Sequence, residues 1–161
     1  MRKRQKTVWI TGASSGIGLA FAQAYAKKGY RLILTARRRG RLEKIAANLG
    51  VSCRIETADL SKEEECYRVC NLLKEETIDI FINNAGFGTC GEFAETDMTK
   101  EIDMIHVNVE AMHILCKEVL RHMRAKGHGT ILNVASSAGL LPGGPYMATY
   151  YATKAYVVSL T

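Results

Sequence analysis

One string constrains this chain more than any other: Thr11-Gly12-Ala13-Ser14-Ser15-Gly16-Ile17-Gly18. It follows a short apolar run, Val8-Trp9-Ile10. It precedes a segment, 16–28, in which Ile17, Ala20, Phe21, Ala24 and Tyr25 recur at helical spacing. A buried strand must therefore turn sharply into a helix. Gly12 suits the tight turn, Gly16 a close approach of backbone to a bound group, and Gly18 close packing of helix on sheet. A helix N-terminus placed there offers free N–H groups and a positive dipole end to an anion. Such a glycine pattern is weak evidence alone and much stronger at a first β–α junction.

The rest of the chain repeats the alternation. Strands are expected at 31–35, 51–57, 78–82 and 130–134, and helices at 38–49, after Ser61, at 99–125 and from Tyr150 onward. Gly29 and Gly50 stop the first two helices, and Ser61 with Glu64 reads as a capping box for the third. Short apolar strands alternating with helices predict an α/β fold, a doubly wound parallel sheet of Rossmann type. Both prolines, Pro142 and Pro145, flank Gly143-Gly144 in the one segment whose punctuation suggests a mobile loop.

Composition limits the function classes. The 161 residues, 47% of them hydrophobic and 24% charged, fit one ordinary globular domain and exclude disorder. The net charge of +6 is uneven: residues 1–44 hold 12 Lys/Arg and only one acid, Glu43. Charge alone would permit a nucleic-acid partner, but no nucleic-acid motif accompanies it, and Arg2, Lys3, Arg4 and Lys6 read as a solvated tail. The five cysteines, Cys53, Cys66, Cys70, Cys90 and Cys116, form no C-x-x-C pair, so a reducing compartment is expected; Cys66 and Cys70, four apart on one helical face, read as small buried hydrophobes. His106, His113, His122 and His128 lack metal-ligand spacing and are expected at a surface or interface; no metal is expected. The start MRKRQK superficially resembles a signal peptide, with Ala22-Gln23-Ala24 as a cleavage site. The glycines and hydroxyls of 11–16 interrupt it, and no run reaches the roughly 18 apolar residues of a membrane span. A cytoplasmic protein without a membrane or nucleic-acid partner is the expectation.

The glycine spacing is G-x-x-x-G-x-G, and the string resembles the T-G-x-x-x-G-x-G of the short-chain dehydrogenase/reductase family, in its short, non-extended branch. Further motifs follow in order. Asp59-Leu60 after the third strand resembles the family's adenine-contacting D-[LV] pair, and can equally be a helix-cap carboxylate. Asn83-Asn84-Ala85-Gly86 after the fourth strand matches N-N-A-G, in which small residues lie against the ribose and Asn side chains tie loops together. The resemblance implies a nicotinamide dinucleotide held by Thr11, Gly12, Ser14, Ser15, Gly16, Ile17, Gly18, Arg37, Asp59, Leu60, Asn84, Ala85, Gly86 and Val107, with Tyr150 and Lys154. NAD-binding folds place an acid at the end of the second strand. Here Ala36 is followed by Arg37-Arg38-Arg39, whose guanidinium forks suit a 2′-phosphate, so NADP(H) is expected.

Tyr150 and Lys154 form Y-x-x-x-K, which on a helix puts both on one face. An ammonium beside a phenol stabilises the phenolate and makes Tyr a usable acid–base group. By resemblance Tyr150 is the general acid/base, Lys154 lowers its pKa and grips the ribose, and Asn108 holds a water of the proton relay. The family's Ser follows the fifth strand in N-x-x-S-x-x-G, which selects Ser136; the usual Ser-to-Tyr spacing points to Ser137. Strand continuity favours Ser136, whose hydroxyl would orient a substrate carbonyl. The implied function is hydride transfer between NADP(H) and a carbonyl or alcohol. A non-catalytic NADP(H)-binding module is the alternative, and an extended-branch epimerase would need a different glycine spacing. Whole family members run to roughly 250 residues, within the single-domain range. Residues 1–161 are thus expected to be one C-terminally incomplete domain, with the fifth strand as an exposed edge. Family members commonly form homodimers or homotetramers.

Overall fold

The computed structural model describes residues 4–161. Alternation along the first strand, β1 (Thr7–Thr11), sets the layers of the molecule. Val8 and Ile10 point to one face, Trp9 to the other, and all three are fully buried. Such two-sided burial requires helices above and below. β2 (Arg31–Ala36), β3 (Cys53–Thr57), β4 (Ile80–Asn83) and β5 (Thr130–Asn133) complete a parallel sheet in the order β3-β2-β1-β4-β5. Trp9 lies beside Ile33 on β2 and Phe81 on β4, and Ile10 beside Leu34 and Ile82.

On the first face, α1 (Gly16–Lys27) and α2 (Arg39–Leu49) cover Val8, Ile10, Leu32, Leu34 and Ile82 through Ala22, Ala26 and Leu42. On the second, α3 (Glu63–Cys70) and α5 (Met112–Lys126) cover Trp9, Ile33 and Phe81 through Cys66, Val69, Leu115 and Val119. The Trp9 and Phe81 rings lie 4.8 Å apart, and Trp9 Nε1 donates to Thr35 Oγ1 at 2.8 Å, so the one polar atom of the indole is satisfied. Each fully buried aliphatic or Phe side chain in these rows stabilises the fold by about 1.5–3 kcal/mol. α4 (Met98–Ile105) and α6 (Ala148–Leu160) pack against each other.

The doubly wound sheet follows the sequence expectation, with four departures. The helix expected over 99–125 is broken into α4 and α5 by a π-helical turn, His106–Ala111. The third helix has no capping box: Asp59 Oδ1 takes both the N–H and the hydroxyl of Ser61, at 3.2 and 2.9 Å, and Lys62 becomes the N-cap. The basic N-terminus is only partly a solvated tail, because Arg4 Nη2 pairs with Asp79 Oδ1 at 2.6 Å; Arg2 and Lys3 lie outside the described residues. Asp79, 7% exposed, also accepts from Thr7 N at 2.7 Å and fastens the start of β4 to that of β1. Finally, His122 is no plain surface residue: its Nε2 is buried without a partner, and that burial lowers the ring's pKa.

β5 is an edge strand, with Leu132 40% exposed. Cys66 is buried and Cys70 half-buried; burial pushes both thiols up to about 12. Among the described residues no helix is long and apolar enough to cross a membrane.

Candidate active site

The chain winds outward from β1 to β3, then returns across β1 to β4. That reversal opens a crevice at the carboxyl ends of the strands, where ligands of such sheets bind. A cleft of about 700 Å³ occupies this position.

Its first end is the β1–α1 turn. Gly12, at φ 65°, has no room for a side chain: a Cβ would come 2.8 Å from Asn84 Nδ2 and 3.0 Å from Ala85 Cα. Gly18 has less, since its Cβ would lie 2.3 Å from the Gly12 carbonyl oxygen. Gly16, at φ 52°, differs. Its Cβ would meet nothing within 4 Å, because that residue faces the open cleft. Ser15 is the N-cap of α1 and makes no side-chain cap bond, so the first-turn N–H groups remain available to a ligand. Ser14, Ser15 and Ile17 line the cleft beside Gly12 and Gly16.

Thr11 and Gly18 stand behind this wall. Thr11 is fully buried, and its Oγ1 accepts from Asn84 N at 2.9 Å and Ala85 N at 3.0 Å. It holds the N-N-A-G segment against the glycine turn instead of facing a ligand. Asn84 Nδ2 returns a bond to Thr11 O at 2.9 Å, and Asn83 Nδ2 reaches Met112 O at 2.9 Å and Asn133 Oδ1 at 3.1 Å. The two asparagines thus tie four segments together.

Arg37 and Arg38 line the cleft beyond β2, with Asp59 and Leu60 beyond β3. Arg39 does not belong with them, because its Nε pairs with Glu43 one helical turn on, at 2.9 Å. Arg38, as N-cap of α2, is therefore the second cleft arginine that attention to Arg37 alone would miss.

The other end gathers residues far apart in sequence. Tyr150 and Lys154 project from α6 into the cleft, with the Lys154 Nζ 5.8 Å from the Tyr150 ring centroid. Lys154 is 5% exposed and donates to Val134 O at 3.0 Å; burial lowers its pKa. Asn108 sits in the π-helical turn, 1% exposed. Its Nδ2 donates to Phe87 O at 2.8 Å and Thr153 Oγ1 at 3.1 Å, and its Oδ1 accepts from Phe87 N at 3.0 Å. Its side chain is thereby committed to the backbone after Gly86. Gly86 must be bare, for a Cβ would come 2.9 Å from Asn108 Oδ1. π turns inside helices are frequent at functional sites, and this one stands where α4, α5 and α6 meet. Val107, in the same turn, lines the cleft, as does Asp103 one turn earlier.

Neither candidate serine is in the lining, which stops at Val134 and Ala135. Ser136 is half-buried at the lip, and its Oγ accepts from Ala138 N at 3.2 Å, an arrangement that leaves the hydroxyl hydrogen free to donate. Ser137 is exposed and starts the short 3₁₀ turn Ser137–Leu140.

The sequence signature of the short chain dehydrogenases matches residues 6–161. This chain belongs to the short-chain dehydrogenase/reductase family. Among curated relatives, it is 35% identical over 156 residues to hydroxysteroid dehydrogenase-like protein 1 of Gallus gallus, covering 92% of this chain and 46% of that protein. It is 33% identical over 157 residues to the very-long-chain 3-oxoacyl-CoA reductase of Anas platyrhynchos, covering 92% of this chain and 50% of the relative. The chain thus spans about half the length of these two relatives. Among solved structures, a short-chain dehydrogenase from Sphingobium yanoikuyae in complex with NADPH superposes with a TM-score of 0.90 at 38% identity, over 96% of this chain and 62% of that one. A bulky-bulky ketone specific alcohol dehydrogenase from Comamonas testosteroni gives 0.92 at 34% identity, over 98% and 65%. Membership of an oxidoreductase family and a Rossmann-like sheet are therefore established for this chain.

Proposed function

We propose that the protein is an NADP(H)-dependent oxidoreductase that interconverts a carbonyl compound and its alcohol. One observation carries this: Tyr150 and Lys154 open onto the same cleft as the uncapped N-terminus of α1 and the Arg37–Arg38 pair. The residues suit the cofactor. Gly16 would leave its diphosphate room against bare backbone, the α1 amides would take its charge, and Arg37 and Arg38, with no competing acid at Ala36, would take a 2′-phosphate. Asp59 and Leu60 would flank the adenine, and Asn84, Ala85, Gly86 and Val107 the adenosine ribose. When bound, the nicotinamide supplies or accepts the hydride.

The chain's residues do the rest. Tyr150 gives its phenolic proton to the carbonyl oxygen as the carbonyl carbon is reduced, and takes it back in the reverse direction. Lys154 holds positive charge near the phenol, which favours the phenolate left behind. Ser136 donates its uncommitted hydroxyl hydrogen to the same oxygen. Asn108 positions the loop after β4 through Phe87, and the π turn around it would lead the proton to solvent. α5 and α6 carry the surface through which two copies would pair into a dimer or tetramer, with His113 Nδ1 and Tyr156 Oη bonded across them at 2.7 Å. Five unpaired cysteines suit the cytoplasm.

The test is NADPH consumption by the full-length protein with a panel of ketones, beside Ser136→Ala and Ser137→Ala. Loss of kcat in the first variant alone supports the assignment; loss in the second alone moves the role to Ser137. The alternative of a non-catalytic NADP(H) module would give tight NADPH binding and no product from any ketone.

A further inference from the structure

We infer that Glu65 and Arg68, which lie outside the cleft, are positioning residues for its adenine end: they brace the chain where β3 leads into Asp59, and so hold the Asp59 carboxylate ready for the amino group of a bound adenine. This rests on the NADP(H) reading above. β3 is an outer strand of the sheet. Ala58 N donates inward to Ala36 O at 3.2 Å, so the carbonyl of the same planar peptide, Thr57 O, points the other way, off the open edge. Arg68, reaching back from α3, donates to that carbonyl through Nη2. Glu65 fixes the guanidinium with two parallel bonds, Oε1 to Nε and Oε2 to Nη2, both at 2.7 Å. Arg68 and, to a smaller extent, the backbone N–H of Asp59 hold the Glu65 carboxyl below its usual range. The pair thus touches the chain on both sides of Ala58.

Asp59 is the residue this brace serves. Its Oδ1 is taken by the N–H and hydroxyl of Ser61. Among the described residues no group donates to Oδ2, and Asp59 lines the cleft. An ionised carboxylate can only accept, so a free oxygen there favours an N–H donor and repels a carbonyl. Adenine carries an amino group where hypoxanthine carries an oxygen. The brace is expected to act on geometry and not on folding. A partly exposed ion pair at i and i+3 adds little stability. Ala58 and Leu60, on either side of Asp59, are buried in the core and keep the turn attached without it. Loss of Arg68 would therefore free the Thr57–Ala58 peptide and let Asp59 swing, while the sheet beneath stays in place.

The experiment titrates the full-length protein with NADPH and with reduced nicotinamide hypoxanthine dinucleotide phosphate, following nicotinamide fluorescence. The parent should bind NADPH at least about tenfold more tightly, the effect of one charge-assisted bond. Arg68→Ala, which keeps the helix propensity of α3, should narrow that ratio at least about threefold by weakening NADPH alone. Arg68→Lys, which can still reach the Thr57 carbonyl, should return it to within about twofold of the parent. The ratio is decisive because a merely structural lesion weakens both nucleotides alike. An unchanged ratio in Arg68→Ala, whether both nucleotides weaken or neither, overturns the inference, as does no recovery in Arg68→Lys. A parent that binds both nucleotides equally also overturns it, and leaves the cofactor reading intact. A parent that binds neither overturns that reading and this inference with it.

Discussion

The two ends of the cleft are made by different means. The β1–α1 end is main-chain geometry drawn from one stretch of sequence: three glycines, an uncapped helix and a buried threonine. The α6 end is side-chain chemistry drawn from three distant segments, in which Tyr150 and Lys154 depend on Gly86–Gly88 and on the π turn around Asn108. A lesion at the first end should therefore act on affinity and stability, and a lesion at the second on the chemical step.

The sharpest test of that contrast is Tyr150→Phe. Removing the proposed proton donor should lower kcat about 10³-fold, within the range for general acid–base groups, with the Kd for NADPH within about twofold. A parallel loss of NADPH binding would erase the distinction between the ends. Arg37→Asp comes next. Losing a charge-assisted bond to the 2′-phosphate should shift the NADPH-to-NADH ratio of kcat/KM by about 10–100-fold toward NADH. An unshifted ratio would remove Arg37 from cofactor selection.

Gly18→Ala probes the main-chain end without touching a ligand. The added methyl meets the Gly12 carbonyl, and the shift it forces should lower unfolding free energy by roughly 1–3 kcal/mol in urea titrations. The smallest effect lies far from the cleft, at Asp79. Burial raises the pKa of its carboxyl, but the Arg4 guanidinium and the Thr7 N–H outweigh burial and hold it below the usual carboxylate range. A carboxyl depressed in the folded state stabilises the protein above its unfolded pKa of about 3.9 and loses that contribution as pH falls through the folded value. Asp79→Asn should therefore flatten the acid limb of stability below about pH 4, with the urea midpoint near neutral pH lowered by less than in Gly18→Ala.

Legibility in the sequence follows the same division. The strand and helix alternation, the glycine turn and the Tyr150–Lys154 spacing are local patterns, and each stands where the sequence places it. What escaped depended on partners remote in sequence or on competition between neighbours. The π turn carries Asn108, whose side chain bonds both backbone groups of Phe87, 21 residues away. Arg4 finds Asp79 at a separation of 75 residues. The capping box lost to Asp59, a stronger acceptor two residues before Ser61. Arg39 was readable, since Glu43 lies at the i+4 position that favours a pair.

If this cleft moves a hydride between a nicotinamide and a carbonyl carbon, a label on that hydride must follow it to the product. Reduction of acetophenone by the full-length protein with NADPH deuterated at nicotinamide C4 tests it directly, with the alcohol analysed by mass spectrometry. One deuterium is expected on the carbinol carbon, transferred from one face of the nicotinamide only, and no such product from Tyr150→Phe over the same time. Alcohol without deuterium from either C4-labelled form, or no alcohol at all, would contradict it.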